Sequence, residues 1–162
     1  MPVERSAGAI VFREDKNGRK YLLLHHYPSK FSKESQRIGG HWDFPKGHID
    51  KGEKTEETVR REIKEETGIS KIEIIPGFKE TVRYFIGPKE DRRLKFVAWF
   101  LAKTKEKKVV LSFEHQGYIW LPLEEARRQA TYPDTKKLLK KADEFLSRRK
   151  KLLLRREGVE LK

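Results

Sequence analysis

Residues 47–69 constrain this chain more than any other stretch, because a glycine-bounded turn leads directly into a charged amphipathic segment. Val59 and Ile63 are four residues apart and form an apolar stripe, which predicts a short helix. Thr55 is expected to cap its N-terminus, and Gly68 is expected to close its C-terminus in a left-handed conformation. Such a helix packs its apolar stripe on a core and leaves its other faces free for charged side chains.

The charged side of this helix carries three carboxylates. Glu62, Glu65 and Glu66 stand at positions i, i+3 and i+4, so they lie on one helical face and repel one another. A bound cation relieves that repulsion, and hard carboxylate oxygens suit Mg²⁺ or Mn²⁺ far better than Zn²⁺. Taken alone, however, the helix is equally consistent with a solvated acidic face that binds nothing.

The turn that precedes the helix favours the metal-binding interpretation. The stretch has the form Gly-x5-Glu-x7-Arg-Glu-aliphatic-x-Glu-Glu-x-Gly-aliphatic, and its fixed positions are all filled, by Gly47, Glu53, Arg61, Glu62, Ile63, Glu65, Glu66, Gly68 and Ile69. This pattern resembles the Nudix box of hydrolases that act on nucleoside diphosphate-linked compounds. The resemblance implies the Nudix α/β/α sandwich as the fold.

The resemblance also implies a metal site and a set of catalytic residues. The metal ligands it implies are the carboxylates of Glu62, Glu65, Glu66 and Glu114, together with a backbone carbonyl at Gly47 or Lys46. Glu114 is expected to enter from a loop across the cleft. The implied catalytic residues are Glu62, Glu66, Glu114 and Lys46, with Glu62 or Glu114 as the group that takes a proton. Arg61 and Glu53 match residues that hold the turn and the helix together. The implied cofactor is Mg²⁺ or Mn²⁺.

Composition limits the class of protein. At 162 residues the chain is expected to form a single domain over 1–162, and 36% hydrophobic residues suffice for one core. No run of about twenty apolar residues is present, and the first residues lack the apolar segment of a secretory signal. The absence of cysteine excludes disulfides, a thiol nucleophile and a cysteine zinc site. We therefore expect a cytoplasmic protein without a membrane span, and we expect it to be a monomer.

The positive charge of the chain is unevenly distributed. The net charge is +13, and residues 136–162 hold eleven Lys or Arg against four Asp or Glu. This segment is expected to be a basic C-terminal helical extension of the domain. A basic surface attracts polyanions, so RNA is a possible partner of the tail, although solubility alone explains the charge as well.

The remaining sequence predicts strands and helices in alternation. Strands are expected at 3–13, 20–27, 72–87 and 94–121, and helices at 55–67, 122–130 and 134–155. Residues 28–40 are expected to form a long loop, and residues 109–112 either a further strand or part of a loop. This order indicates the α/β class, with a mixed central sheet between helical layers and a C-terminal helix.

Stretches outside the box indicate the class of substrate. They include His41-Trp42-x-x-Pro45-Lys46-Gly47-His48, Gly77-Phe78-Lys79-Glu80, Lys95-Phe96-Val97-x-Trp99-Phe100-Leu101 and Ser112-Phe113-Glu114-His115-Gln116-Gly117-Tyr118-Ile119-Trp120-Leu121. These stretches resemble the asymmetric diadenosine tetraphosphate hydrolases of the animal and archaeal type, over most of residues 5–140. The loop at 87–93 is slightly longer than the resemblance leads us to expect, and the basic segment after Ser147 is an addition.

Carried over position by position, this resemblance assigns substrate-binding roles to His41, His48, Tyr84, Lys95 and Tyr132. Lys95, together with Lys46 and His48, is expected to bind the polyphosphate, and the two tyrosines are expected to hold one adenine between their rings. Without the resemblance, a tyrosine on a strand is more often a core residue, and a single histidine is more often a structural hydrogen-bonding group.

The implied reaction is Mg-dependent hydrolysis of dinucleoside polyphosphates, with in-line attack of water on phosphorus that converts diadenosine tetraphosphate to ATP and AMP. The sequence leaves three alternatives open: an RNA 5′-pyrophosphohydrolase, another nucleoside-diphosphate-linked Nudix pyrophosphatase, and a nucleotide-sensing module without catalysis. The intact Glu62, Glu65 and Glu66 argue against the sensing module, because a pure binding protein need not keep three mutually repelling acids.

Overall fold

The computed structural model describes residues 2–158 and consists of strands and helices in mixed order. In that part of the chain the elements are β1 (Val3–Asp15), β2 (Gly18–His26), α1 (Lys33–Arg37), β3 (His41–Asp43), β4 (Lys46–His48), α2 (Thr55–Thr67), β5 (Glu73–Ile74), β6 (Glu80–Ile86), a 3₁₀ helix (Lys89–Asp91), β7 (Arg93–Lys103), β8 (His115–Leu121), α3 (Leu123–Gln129) and α4 (Pro133–Arg156).

Strand β1 is the centre of a mixed sheet. It runs parallel to β7 from Val3, opposite Leu94, to Phe12, opposite Lys103. Its other edge pairs antiparallel with β4 near its start and with β2 near its end. Strand β2 carries β3 and β8, and β7 carries β5 and β6. The mixed central sheet is therefore confirmed.

The sheet separates two apolar cores, because successive residues of a strand point to opposite faces. From β1, Ile10 and Phe12 enter the core that is covered by α3 and α4. Ala9 and Val11 enter the core on the other face, where they meet Val59 and Ile63 of α2. Helices thus lie on both faces of the sheet, and the predicted α/β/α sandwich is confirmed.

Helix α2 begins at Thr55 and ends at Thr67, as its apolar stripe predicts. Gly68 closes it in the left-handed conformation at φ 74°, and its N–H donates to the Lys64 carbonyl. The expected cap is wrong by one residue, because Lys54 holds the N-cap position and Thr55 is already helical. No side chain caps this end by a hydrogen bond, and Glu56 and Glu57 instead place negative charge in the first turn.

Several short elements differ from the sequence prediction. The predicted loop at 28–40 contains helix α1, which begins after Ser32, whose hydroxyl accepts a hydrogen bond from the Ser35 N–H. Strands β3 and β4 lie just before and at the start of the box, where no strand was predicted. Residues 109–112 form no strand, and they attach to the end of α2 through a hydrogen bond from the Val110 N–H to the Thr67 carbonyl.

Helix α4 packs on the sheet through its first half, where Leu139, Ala142 and Leu146 are buried. Its later residues Leu152 and Leu153 are exposed, as expected for a helical extension. The last part of the predicted extension, residues 159–162, lies outside the described residues, and the assignment of 1–162 to one domain stays a prediction. Within residues 2–158, no helix combines the length and the apolar character needed to cross a membrane.

Candidate active site

Arg61 fastens helix α2 to the turn that precedes it. Its guanidinium donates to both carboxylate oxygens of Glu53, at 2.8 and 3.0 Å, and to the His48 carbonyl at 2.9 Å. It also donates to Glu62 at 2.7 Å. The hydrogen bonds from Arg61 hold the pKa of Glu53 down to about 2, so this carboxylate stays ionised at any physiological pH. The turn and the first part of α2 therefore form one rigid unit.

Glu62 and Glu66 form a buried acid pair at the centre of the candidate site. Their side chains are 12% and 6% exposed, one turn apart on α2. Burial raises the pKa of Glu62 above its ordinary value, and the neighbouring Glu66 adds to that rise, whereas Arg61 opposes it. An acid whose pKa is raised toward neutrality is suited to accept a proton.

Gly47 is needed beside this pair because the Glu62 carboxylate packs directly against its backbone. A Cβ at position 47 would overlap that carboxylate. On the other side of β4, the absence of a Cβ at Gly8 lets β1 approach the Pro45 carbonyl and Lys46 closely. Two glycines thus allow the acid pair, β4 and the central strand to lie in contact.

The other two predicted acids are exposed rather than buried. Glu65 has a 56% exposed side chain and meets Arg61 at 3.2 Å. Glu114 is exposed in the turn before β8, and among residues 2–158 its carboxylate makes no ion pair or hydrogen bond. The structure therefore brings together Glu62 and Glu66 of the four carboxylates, with Glu65 at the edge of the pair and Glu114 in a neighbouring turn.

The acid pair has the chemistry of a divalent metal site. Glu66 Oε2 is buried and makes no hydrogen bond, although His115 Nε2 lies 3.3 Å away, so this oxygen keeps lone pairs that a cation could use. No three His, Asp or Glu side chains of residues 2–158 form a ready-made metal cluster. Mg²⁺ does not require one, because it is commonly bound by one or two carboxylates plus water and substrate phosphates. The residues present thus fit a divalent ion.

His115 adjoins the acid pair and was not predicted to be a site residue. Its Nε2 lies 3.3 Å from Glu66 Oε2, and its Nδ1 lies 3.0 Å from the Ser112 hydroxyl. His26 packs edge-on against His115 with ring centroids 4.5 Å apart, and it stacks on His41 at 4.7 Å. No spacing in the sequence indicates this group, because its members come from three different strands.

A cavity of about 1180 Å³ opens beside strand β4, where Lys46 and His48 line it and Glu62 and Glu66 do not. It is lined by six residues that were predicted to contact substrate or take part in catalysis: His41, Lys46, His48, Tyr84, Lys95 and Tyr132. Strand β4 separates the two parts of the site, since Lys46 and His48 line the cavity and Gly47 meets Glu62. The volume is sufficient for a nucleotide-sized ligand.

Two lysines make one wall of the cavity strongly positive. Burial lowers the pKa of Lys95 to about 8, and the positive charge of Lys46 contributes to that lowering. A negatively charged ligand would relieve this repulsion. The wall is therefore suited to bind phosphate groups.

The two predicted tyrosines lie in the same cavity. Tyr84 is 38% exposed, on the sheet edge formed by β6. Tyr132 precedes α4, contacts the His41 ring at 5.5 Å, and donates its hydroxyl to Ser32 at 3.0 Å. Burial lowers the pKa of His41 to about 4, and its Nδ1 lies 2.7 Å from the Ser35 hydroxyl, so its ring is neutral at physiological pH. Both tyrosines have access to a ligand in the cavity.

Asp43 is a second residue of the site that the sequence did not single out. It is buried, and its Oδ1 accepts hydrogen bonds from the Phe44 N–H at 2.8 Å and from the Thr135 hydroxyl at 3.1 Å. Its position was one of the variable places in the stretch between Trp42 and Pro45. Only the fold shows that its carboxylate reaches the cavity.

The sheet, the box residues and the acid pair together define the class of protein. The family model described as NUDIX domain matches residues 2–142, so the chain belongs to the Nudix hydrolase family. Divalent metal ions are typical of that family. The sandwich fold and the complete box described above agree with this assignment.

Relatives of two kinds are among the matches to this chain. The asymmetrical bis(5′-nucleosyl)-tetraphosphatase of Mus musculus is 39% identical over 152 residues, with 88% of this chain and 95% of the relative covered. An RNA pyrophosphohydrolase of a Nitratiruptor species is 35% identical over 133 residues, with 73% of this chain and 86% of the relative covered. A solved structure of a C. elegans Ap4A hydrolase binary complex matches at a TM-score of 0.72 and 33% identity, with 89% of this chain and 98% of that chain covered.

Proposed function

We propose that this protein hydrolyses dinucleoside polyphosphates, with diadenosine tetraphosphate as the preferred substrate and ATP and AMP as products. The observation that carries the proposal is the arrangement at β4, where a buried acid pair meets Gly47 and two neighbouring residues line a cavity of nucleotide size. The likeness to tetraphosphatases over nearly the whole chain supports it.

In this proposal the cavity binds one nucleoside and the polyphosphate. Tyr84 and Tyr132 hold the adenine between their rings, since both line the cavity and an aromatic ring can stack on any nucleotide base. Lys46, Lys95, His41 and His48 contact the phosphates. A tetraphosphate bridge carries about four negative charges near neutral pH, which the two lysines attract.

The metal assigned to this site is Mg²⁺, or Mn²⁺ in its place. Glu62, Glu65, Glu66, Glu114 and the backbone carbonyl at Gly47 or Lys46 would hold it. When bound, such ions neutralise phosphate charge and acidify an attacking water. Glu114 is exposed in the turn beside His115, whose ring lies 3.3 Å from Glu66, so it would join the other ligands from that turn.

The protein's own groups handle the proton and the developing charge. An attacking water forms a bond to the phosphorus nearest one adenosine, and the bond from that phosphorus to the bridging oxygen breaks. Glu62, whose pKa is raised by burial and by Glu66, takes the water proton, with Glu114 as the other residue assigned to this role. Lys46 and Lys95 stabilise the charge that builds on the departing polyphosphate. AMP and ATP result.

The test is a substrate panel with identification of products, run with Mg²⁺ in ¹⁸O-labelled water. Diadenosine tetraphosphate should give equal amounts of AMP and ATP, with the label in AMP. Two molecules of ADP, label in ATP, or turnover that does not depend on a divalent ion would contradict the proposal. Glu57→Gln, an exposed change on the same helix, serves as the control for handling of the protein.

A second candidate function is removal of pyrophosphate from the 5′ end of RNA. The 35% identity to an RNA pyrophosphohydrolase and the basic end of α4 favour it. If RNA is the main substrate, triphosphorylated RNA should be turned over faster than diadenosine tetraphosphate, and its kcat/KM should fall steeply with added salt. The monomeric state and the cytoplasmic location stay predictions.

A further inference from the structure

Asp43 has one carboxylate oxygen that the protein satisfies and one that it does not. Oδ1 accepts hydrogen bonds from the Phe44 N–H and the Thr135 hydroxyl, which occupy both of its lone pairs. Among residues 2–158, no group donates a hydrogen bond to Oδ2, and this atom is not sealed from solvent. Since Asp43 lines the cavity, Oδ2 is open to it.

Asp43 is close to Tyr84 and also to the two lysines of the cavity. Its charge contributes to the raised pKa of the Tyr84 phenol, and it interacts with Lys46 and Lys95 as well. A carboxylate repels phosphate, so a negative group here costs affinity for a polyanion unless it binds something else on the ligand.

Filling the cavity would make that cost larger. A bound nucleoside displaces the water that solvates Oδ2, and a buried carboxylate oxygen without a donor is strongly unfavourable. A ligand that offers an N–H or O–H at this point avoids the penalty. Because only Oδ2 is free, the contact is a single hydrogen bond, unlike the paired contact that a carboxylate with two free oxygens can make.

We propose that Asp43 is a specificity-determining residue whose Oδ2 accepts one hydrogen bond from a donor on the bound nucleoside. The donor is either the exocyclic amino group of the base or the ribose 2′-hydroxyl, which share the required chemistry. The inference rests on the proposed function, because it assumes that a nucleoside occupies the cavity between Tyr84 and Tyr132.

The first test uses the unmodified protein and three substrates. We expect kcat/KM for diadenosine tetraphosphate to exceed, by about tenfold to a hundredfold, that for whichever analogue lacks the donor. Diinosine tetraphosphate has an oxo group in place of the amino group of each base, and bis(2′-deoxyadenosine) tetraphosphate lacks the 2′-hydroxyl of each ribose. A deficit with the first assigns the base, and a deficit with the second assigns the sugar. Equal values for all three substrates would overturn the proposal without any variant.

Asp43→Asn provides the second test, because it keeps the size of the side chain and places an N–H₂ donor at the position of Oδ2. The discrimination found in the first test should disappear in this variant, and for the base it should reverse, since the 6-oxo group of inosine accepts a hydrogen bond. If the discrimination survives unchanged, or if kcat/KM falls equally for all three substrates, Asp43 does not select the nucleoside.

Thr135→Val is the matched control, because it removes a hydrogen bond to Oδ1 and leaves Oδ2 unchanged. It should lower Tm and keep the discrimination; if it erases the discrimination as Asp43→Asn does, the effect arises from the position of α4 and the proposal is wrong. Calorimetric binding of ATP, ITP and dATP repeats the comparison without turnover. A protein that fails to hydrolyse the substrates therefore still reveals whether Asp43 selects the nucleoside.

Discussion

At the scale of single residues, the cavity holds two lysines close together, and both burial and mutual repulsion make the charged form of Lys95 unfavourable. Lys95 is partly buried and faces Lys46, and both effects lower its pKa to about 8. Glu4 and Asp43 act in the opposite direction, but they do not restore the ordinary value. The charge of Lys95 thus changes within the pH range in which enzymes of this kind are assayed.

Lys95 therefore makes substrate binding dependent on pH. A lysine with a lowered pKa is positively charged below that pKa, so kcat/KM for a polyanion should fall as pH rises through about 8. Lys95→Arg stays charged, and kcat/KM of the unmodified protein relative to this variant should fall by up to about tenfold between about pH 7 and about pH 9. Both profiles are measured at fixed free Mg²⁺ and ionic strength. Parallel profiles would show that Lys95 does not contact the substrate.

Individual roles were predictable from the sequence only where a local pattern defines them. Arg61 and Glu53 stand at fixed positions of the box, and the structure shows the hydrogen bonds that join them. Asp43 stands at a variable position, and His115 stands in a matching stretch that does not indicate its role, because their partners Thr135 and Glu66 are distant along the chain. Only tertiary structure brings those pairs together.

At the scale of elements, α2 has two functional sides. Val59 and Ile63 attach it to the sheet, while Glu62 meets Gly47 of β4 and Glu66 meets His115 of β8. Glu57 is exposed on the same helix. Changes to carboxylates of one helix should therefore have very different consequences, according to the side on which they lie.

Glu66→Gln should reduce kcat by about a thousandfold, because a metal site contributes several kcal/mol to the transition state. Tm should change little, since the amide has the same size and can donate toward Glu62 or His115. Glu57→Gln should leave both kcat and Tm unchanged. Turnover with Mg²⁺ and thermal unfolding are measured for all three proteins. Near-normal turnover by Glu66→Gln would remove this residue from the metal site.

Long elements with clear periodicity were predictable, and short ones were not. The periodic apolar residues of α2 and α4 define both helices to within one or two residues. Strands β3 and β4 have three residues each, which is too short for an alternating pattern. Pairing with β2 and β1 determines their conformation, and those pairings are not visible in the local sequence.

At the scale of the whole molecule, the sandwich follows from strands that are apolar on both faces. Strand β1 is too apolar to face water on either side, which predicts helices above and below it. Its parallel pairing with β7 could not be derived in this way, because residues that pair, such as Val3 and Leu94, are far apart along the chain. The layers were predictable, and the strand order was not.

Removal of residues 150–162 should spare the fold and the proposed dinucleotide chemistry. The last buried residue of α4 is Leu146, so Tm should stay within about 3 °C, and kcat/KM for diadenosine tetraphosphate should be unchanged. If the basic end binds RNA, the truncation should raise KM for triphosphorylated RNA and weaken its salt dependence.

The control removes charge from the end of the helix without shortening the chain. In this variant, Gln replaces Lys150, Lys151, Arg155 and Arg156. Equal effects of this variant and the truncation on RNA would assign the effect to charge. A large loss of dinucleotide turnover in either variant would show that the helix end takes part in the active site, contrary to the prediction.

The arrangement at β4 has a consequence for redesign of this protein. Because Gly47 leaves no space for a side chain beside Glu62, the reactive end of the site tolerates little variation. Much of the cavity wall comes instead from surface segments, residues 29–33 near α1 and residues 86–88 after β6. Grafting different segments at these two places is thus a practical way to retarget the hydrolase to other nucleotides while its cleavage machinery is inherited unchanged.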